Sequence, residues 1–223
     1  MKDGPSLIRW PSDAPAAIVI WGALLALTIG ALLFGRWSLS FVSGATLMLS
    51  MAPIFLARWF RIALPVPVVL GIILFVFASI FLGEAFDFYR RFWWWDLALH
   101  GFSAVGFGLF GFLMTLMLFE GDTFAAPPWA LALISFCVAM TVGSVWEIFE
   151  FAMDRSFGLN MQKSGLDDTM GDLIINAVGG SVAAITGFFY LRGRKRGFLN
   201  RIIRQFMLIN KRFYRRWHRR LPR

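Results

Sequence analysis

Hydrophobic residues in this chain fall into six continuous blocks of about twenty residues, separated by short polar or proline-containing stretches. A helix of about twenty apolar residues crosses the roughly 30 Å hydrocarbon core of a bilayer. Membrane β-strands alternate polar and apolar positions, whereas these blocks are uniformly apolar, so transmembrane helices are predicted. The predicted spans are Ala14–Gly35, Leu39–Phe60, Leu64–Gly83, Trp95–Phe119, Trp129–Phe151 and Thr169–Leu191.

The segment after the sixth span has a different pattern, with apolar residues at helical spacing and basic residues between them. Its apolar positions are Leu199, Ile202, Ile203, Phe206, Ile209, Phe213 and Trp217. Such a helix lies in the headgroup plane of anionic lipid, and the apolar positions favour lipid over nucleic acid as its partner. The predicted fold is therefore all-α: a cytoplasmic segment (residues 1–13), a polytopic bundle of six transmembrane helices (14–191) and a basic amphipathic interfacial helix (192–223).

Composition and charge agree with a membrane protein and add an orientation. The chain is 58% hydrophobic and 16% charged, which excludes an ordinary soluble domain. Six spans place both termini on one side, and seventeen of the 22 Lys and Arg residues fall on that side, thirteen of them in residues 192–223. The positive-inside rule therefore predicts cytoplasmic termini.

Acidic residues concentrate on the other side, which the orientation makes extracytoplasmic. Nine of the thirteen Asp and Glu residues, together with His100, lie at the ends of spans three to six. Ionisable groups at membrane depth normally face a bundle interior or a watery cavity, and they mark functional sites. The nine acids are Glu84, Asp87, Asp96, Glu147, Glu150, Asp154, Asp167, Asp168 and Asp172.

Two helical stripes carry the first candidate residues. Asp96 and His100 are four residues apart and share a helix face, so the carboxylate can orient the imidazole as a general base. Glu147, Glu150 and Asp154 form a second stripe. Three like charges in a column persist only when they are protonated, paired with basic residues or neutralised by a metal ion. The basic residues near enough in topology to pair are Arg90, Arg91, Arg155 and Lys163.

A third stripe begins with Asp172, one turn inside the sixth span, and continues through Asn176 into small residues. Small residues let helices approach closely, so this face is predicted to pack against the fourth span, where Ala104 and Gly108 follow His100. Asp167 and Asp168 start the sixth helix, and Asp168 or Thr169 is predicted to cap it.

Oxygen-rich sites suit Mg²⁺, Mn²⁺ or Ca²⁺. The sequence therefore predicts a divalent cation as cofactor and His100 with Asp96 as the catalytic pair. The predicted metal ligands are Glu147, Glu150, Asp154 and Asp172. The single cysteine, Cys137, excludes an internal disulfide and a cysteine-based metal site.

Three functions fit these features. The first is metal-assisted hydrolysis or group transfer on a lipid or lipid-linked substrate at the extracytoplasmic face. The second is a non-catalytic scaffold or assembly subunit, in which the acids form ion pairs and the partner is another membrane protein or a second copy of the chain. The third is a small-solute or proton-coupled transporter, although the sequence has neither inverted repeats nor broken spans. No nucleic acid partner is predicted.

Four strings of residues between about positions 40 and 192 resemble the YjdF-like family of bacterial inner-membrane proteins. They are Phe92-Trp93-Trp94-Trp95-Asp96-Leu97-Ala98-Leu99-His100, Trp146-Glu147-Ile148-Phe149-Glu150-Phe151, Gly158-Leu159-Asn160-Met161-Gln162 and Gly165-Leu166-Asp167-Asp168-Thr169-Met170. Aromatic-acid-His and Trp-Glu-x-x-Glu strings are unusual, so the resemblance is fairly specific. It implies a polytopic protein of the inner membrane and implies no particular reaction.

Overall fold

The computed structural model describes residues 15–60, 62–119, 126–194 and 196–218, and these residues include helices and no β-strand. Six of its helices are long and apolar enough to cross a membrane. The predicted all-α, multi-pass membrane fold is confirmed, and the predicted segment 1–13 lies outside the described residues. The elements are α1 (Pro15–Leu33), α2 (Trp37–Trp59), α3 (Val66–Val76, continued by a π-helix over Phe77–Ala85), α4 (Phe88–Arg91), α5 (Trp95–Phe119), α6 (Pro128–Phe157), α7 (Leu166–Leu191) and α8 (Phe198–His218).

Two helix boundaries differ from the sequence prediction in ways that affect the acidic residues. Helix α6 continues to Phe157, so Asp154 lies inside the helix. Helix α7 begins at Leu166 after Gly165, whose positive φ of 68° suits glycine. The prediction that Asp168 or Thr169 caps this helix is therefore wrong. Asp168 instead lies in the first turn, where a carboxylate complements the positive end of the helix dipole.

The third span changes from α-helix to π-helix over its last nine residues. A mostly apolar run gives little sign of such a change, because too few polar positions remain to reveal the helical period. Gly83 lies in the π-helix, and the ring of Tyr89 occupies the space that a side chain at position 83 would need.

The chain divides into two compact units. The first contains α1 to α4 together with the residues from Ile202 onward. Its first two helices are joined by side-chain hydrogen bonds: the Trp21 indole donates to Ser50 Oγ over 3.0 Å, and the Thr28 hydroxyl donates to Ser43 Oγ over 2.9 Å. Hydrogen bonds of this kind hold helices together in lipid, where apolar contact alone does not favour protein over acyl chains.

Helix α8 is present as predicted, and its apolar stripe is partly covered by the protein. Ile202, Ile203 and Phe206 are all buried. The Asn210 amide donates to the Ala63 carbonyl and accepts from the Ala63 N–H, both over 2.8 Å. This pair of bonds fixes α8 to the segment between α2 and α3. The predicted positions Phe213 and Trp217 lie beyond the side chains that the structure describes.

The second unit, residues 93–201, contains α5, α6 and α7, which pack against one another through small residues. A Cβ added to Gly179 of α7 would lie 2.6 Å from the Gly101 carbonyl oxygen and 2.8 Å from the Ala104 Cβ of α5. One added to Gly108 would lie 2.6 Å from the Ala183 Cβ. The predicted packing of the sixth span against the fourth is thereby confirmed, and it aligns the polar ends of the two helices.

Candidate functional site

His100 is the centre of the polar cluster in the second unit. It lies in the second turn of α5, is buried, and faces carboxylates on both sides of its ring. Its Nε2 atom lies 3.8 Å from Asp96 Oδ1 and 3.9 Å from Asp172 Oδ2. These separations exceed the roughly 3.2 Å limit of a good hydrogen bond, so the three groups face one another without bonding directly. Helical spacing and helix packing together produce this group.

The other ring nitrogen faces α6 and α7. His100 Nδ1 lies 3.8 Å from Glu147 Oε1 and 3.4 Å from Asn176 Nδ2. Gly143 of α6 makes room for the Asn176 amide, because a side chain at position 143 would occupy the same space. All three helices of the unit therefore place polar groups around one imidazole.

Three buried oxygens near His100 have no hydrogen-bond partner among the described residues: Glu147 Oε1, Asp168 Oδ2 and Asn176 Oδ1. Glu147 is 5% exposed and Asn176 is 1% exposed. An unsatisfied buried acceptor costs about 1–3 kcal/mol, and more when it is charged. A cation, a water molecule or a hydrogen-bond donor at these oxygens would remove the cost, so the cluster is a candidate ligand site.

Asp96, His100 and Asp172 form the group best placed to bind a metal ion. Their ligand atoms all lie within 4.8 Å of one another. Two ligand atoms on one cation are about 3–4 Å apart when the bonds are 2.0–2.6 Å long. The two distances from His100 Nε2 fall in that range, and a mixed carboxylate and imidazole set suits a divalent cation.

Lys163 supplies positive charge at the edge of the cluster. Its Nζ lies 2.5 Å from Asp96 Oδ2, which leaves Asp96 Oδ1 directed towards His100. Of the basic residues that the sequence offered as partners for the acids, Lys163 thus pairs with Asp96. One ammonium against the carboxylates of Asp96, Glu147 and Asp172 leaves a net deficit of positive charge if all three are ionised.

Asp154, near the end of α6, binds the backbone of the loop that follows the helix. Its two oxygens accept the backbone N–H groups of Met161 and Gln162, over 2.7 and 2.9 Å. The Gln162 side chain in turn donates to Thr169 Oγ1 over 2.6 Å. These bonds hold the loop that carries Lys163. Both oxygens of Asp154 are therefore engaged away from His100, although the sequence offered Asp154 as a metal ligand.

Glu150, another predicted ligand, is buried and accepts a hydrogen bond from the Trp146 indole over 2.9 Å. This contact was missed from the sequence, although the spacing of four residues on one helix was its signal. Asp167 is exposed, as are Glu84 and Asp87 of the first unit. The predicted residues thus separate into those around His100, those that hold neighbouring structure, and those that face outwards.

A family model and a relative match this chain, and neither description states an activity. A family model described as a predicted membrane protein, DUF2238, matches residues 14–193. An uncharacterized protein from Thermotoga maritima is 31% identical over 108 residues, which cover 47% of this chain and 53% of the relative. The alignment with that relative therefore spans about half of its length. No solved structure gives a significant match. The YjdF-like designation stays a resemblance.

Proposed function

The chain belongs to the predicted membrane protein family DUF2238, and we propose that it is a divalent-cation-dependent hydrolase or transferase of a lipid or lipid-linked substrate. One observation carries the proposal: a buried His100 Nε2 faces Asp96 and Asp172 at 3.8 and 3.9 Å, beyond hydrogen-bond distance and within the spacing of ligands on a shared cation. The unpartnered oxygens of Glu147 and Asn176 give independent support.

The described residues supply distinct roles in this proposal. Asp96, His100 and Asp172 hold the cation. Glu147 Oε1 faces Nδ1, where a carboxylate that accepts the Nδ1 proton leaves the Nε2 lone pair for the cation. A bound divalent cation would supply an activated water and a clamp for an anionic group of the substrate. In this division His100 is a ligand and not the general base that the sequence suggested.

The position of the cluster along the helices points to a substrate in the lipid headgroup region. His100 is the sixth residue of α5 and Asp172 is the seventh of α7. At about 1.5 Å per residue, each lies less than 10 Å from the end of its helix. The asymmetry of Lys and Arg supports cytoplasmic termini, and hence an extracytoplasmic site in the inner membrane. A phospholipid or lipid-linked phosphate presents its polar group at this depth.

Packing below the cluster favours an enzyme over a transporter. Ala183 fills the space beside Gly108, and Ser135 of α6 donates to the Gly108 carbonyl oxygen over 2.7 Å. Asn176 fills the space beside Gly143. A solute passing between these three helices needs space at both glycines, and neighbouring side chains occupy it.

The scaffold hypothesis expects the acids to be neutralised by protein cations. Lys163 does pair with Asp96, yet Asp172 and Glu147 have only His100 opposite them among the ion pairs of the described residues. A cation shared by these carboxylates satisfies them better than one imidazole does.

The proposal is tested by turnover in reconstituted vesicles. The protein is mixed with phosphatidylglycerol, phosphatidic acid or a polyprenyl diphosphate, and the release of the soluble headgroup or phosphate is measured in Mg²⁺, Mn²⁺, Ca²⁺ or EDTA. We expect headgroup or phosphate release from at least one substrate in a divalent cation and none in EDTA. The rate of release should fall about a hundred-fold in His100→Asn, because the loss of a direct ligand should cost at least as much as the loss of a group that supports one. Asp167→Asn, at an exposed acid of α7, should keep full turnover. Equal turnover in EDTA, or no release from any of these substrates, would overturn the proposal.

A further inference from the structure

The connection between α7 and α8 concentrates positive charge at the end of the sixth span. Three arginines of this connection are exposed: Arg192, Arg194 and Arg196. Gly193 and Gly197 have φ values of 91° and 106°, which side-chain-bearing residues rarely adopt, so these two glycines form the turn. We call this group of three arginines the arginine turn.

The arginine turn has no acidic residue near it in the chain. No Asp or Glu occurs anywhere between Leu173 and Arg223. Two of its guanidinium groups instead lie over aromatic rings of the last turns of α7: Arg192 is 5.3 Å from the centre of the Phe188 ring, and Arg194 is 4.7 Å from that of Phe189. A cation over an aromatic face is stabilised without being neutralised, so its charge is still available to an anion.

The location of the arginine turn decides which anion is close by. It directly follows Leu191, the last residue of a membrane span, and the arginine side chains that lie on Phe188 and Phe189 are therefore held at the hydrocarbon boundary. Phe198, which follows the turn, is exposed over 62% of its surface and suits the acyl boundary. Nucleic acid would pair with the arginine charges but would leave the exposed Phe198 ring in contact with water.

We propose that the arginine turn binds the phosphate of an anionic phospholipid. The arginines pair with phosphate oxygens, for which guanidinium groups are well suited, and Phe198 contacts the first carbons of the acyl chains. This site is separate from the His100 cluster, at the opposite end of α7, and it does not depend on the activity proposed above.

Native mass spectrometry of the full chain in detergent tests this inference. The measured quantity is the ratio of bound dioleoyl phosphatidylglycerol to bound dioleoyl phosphatidylcholine at equal lipid concentrations. We expect phosphatidylglycerol to dominate in the wild type and the ratio to fall by roughly twenty-five-fold in Arg192→Gln/Arg194→Gln, because each arginine near an anionic headgroup contributes a factor of about five.

Arg155→Gln is the matched control. Arg155 is exposed and lies over the Phe151 ring at 5.6 Å, in the same geometry but at the other end of the unit and next to Asp154. The Arg155→Gln variant should leave the ratio of bound phosphatidylglycerol to bound phosphatidylcholine unchanged. Unchanged melting temperatures would show that all variants are folded. Equal binding of the two lipids by the wild type, or an equal loss in Arg155→Gln, would overturn the inference. So would tight binding of a DNA oligonucleotide that the double variant abolishes while lipid binding is unaffected.

Discussion

Replacing Asp172 with asparagine is expected to raise the melting temperature of the protein in EDTA and to abolish the further rise that Mn²⁺ gives the wild type. Asp172 is 2% exposed, and its Oδ2 faces His100 at 3.9 Å. Without a cation, a buried carboxylate beside Asp96 and Glu147 is costly. The isosteric amide removes that cost, and we expect a gain of about 1–3 kcal/mol in the free energy of unfolding.

In a divalent cation the wild type should gain stability that Asp172→Asn does not gain. A ligand at a hundred times its dissociation constant stabilises the folded state by about 2.7 kcal/mol, and Asp172→Asn should lose this gain because it lacks one of the three ligands. Thermal unfolding in detergent with EDTA or Mn²⁺ measures both effects. Asp167→Asn should respond to Mn²⁺ like the wild type. If Asp172→Asn instead melts lower than the wild type in both solutions, Asp172 is a structural ion-pair partner, as the scaffold hypothesis expects.

Replacing Gly179 with alanine is expected to destabilise the second unit. The added Cβ would lie 2.6 Å from the backbone oxygen of Gly101, which cannot rotate away as a side chain can. Overpacking costs about 1–3 kcal/mol, and the crowding here should exceed the gain of about 1 kcal/mol that alanine brings to a helix. Because Gly101 follows His100, separation of α5 from α7 should also move the imidazole away from Asp172.

Gly106→Ala provides the comparison for this prediction. Gly106 lies on α5, and an added Cβ would meet no atom within 4 Å. Its melting temperature should equal or exceed that of the wild type, whereas Gly179→Ala should melt lower. If both variants melt like the wild type, the close approach of α5 and α7 does not set the geometry of the cluster.

The sequence predicted the fold well, because transmembrane helices depend on the length and polarity of blocks and little else. Span ends were located within three residues except at α6, which continues six residues beyond the predicted Phe151, and the stripe of small residues correctly placed α7 against α5. The π-helix at Phe77–Ala85 was missed because a mostly apolar run has no readable period. The start of α7 was misplaced because Asp168 and Thr169 resemble capping residues, whereas Gly165 takes that position.

The candidate site was only partly predictable, since it is assembled across helices. Spacing along one helix correctly placed Asp96 with His100, and Glu147 with Glu150. It could not tell that Asp154 holds a loop through two backbone N–H groups, because those groups belong to residues seven and eight positions further on. Spacing along one helix also could not distinguish the proposed metal ligands from the groups that support them. That distinction depends on which atoms face Nε2 of His100 and which face Nδ1.

The proposed chemistry requires one divalent cation at Asp96, His100 and Asp172, and equilibrium binding of Mn²⁺ measures whether such a cation binds. The electron paramagnetic resonance signal of free Mn²⁺ is titrated with purified wild type and with Asp172→Asn, and Asp167→Asn serves as the control. We expect one Mn²⁺ bound per chain in the wild type and in Asp167→Asn, with binding weakened about a hundred-fold in Asp172→Asn. Failure of the wild type to bind Mn²⁺, or binding that Asp172→Asn leaves unchanged, would contradict it.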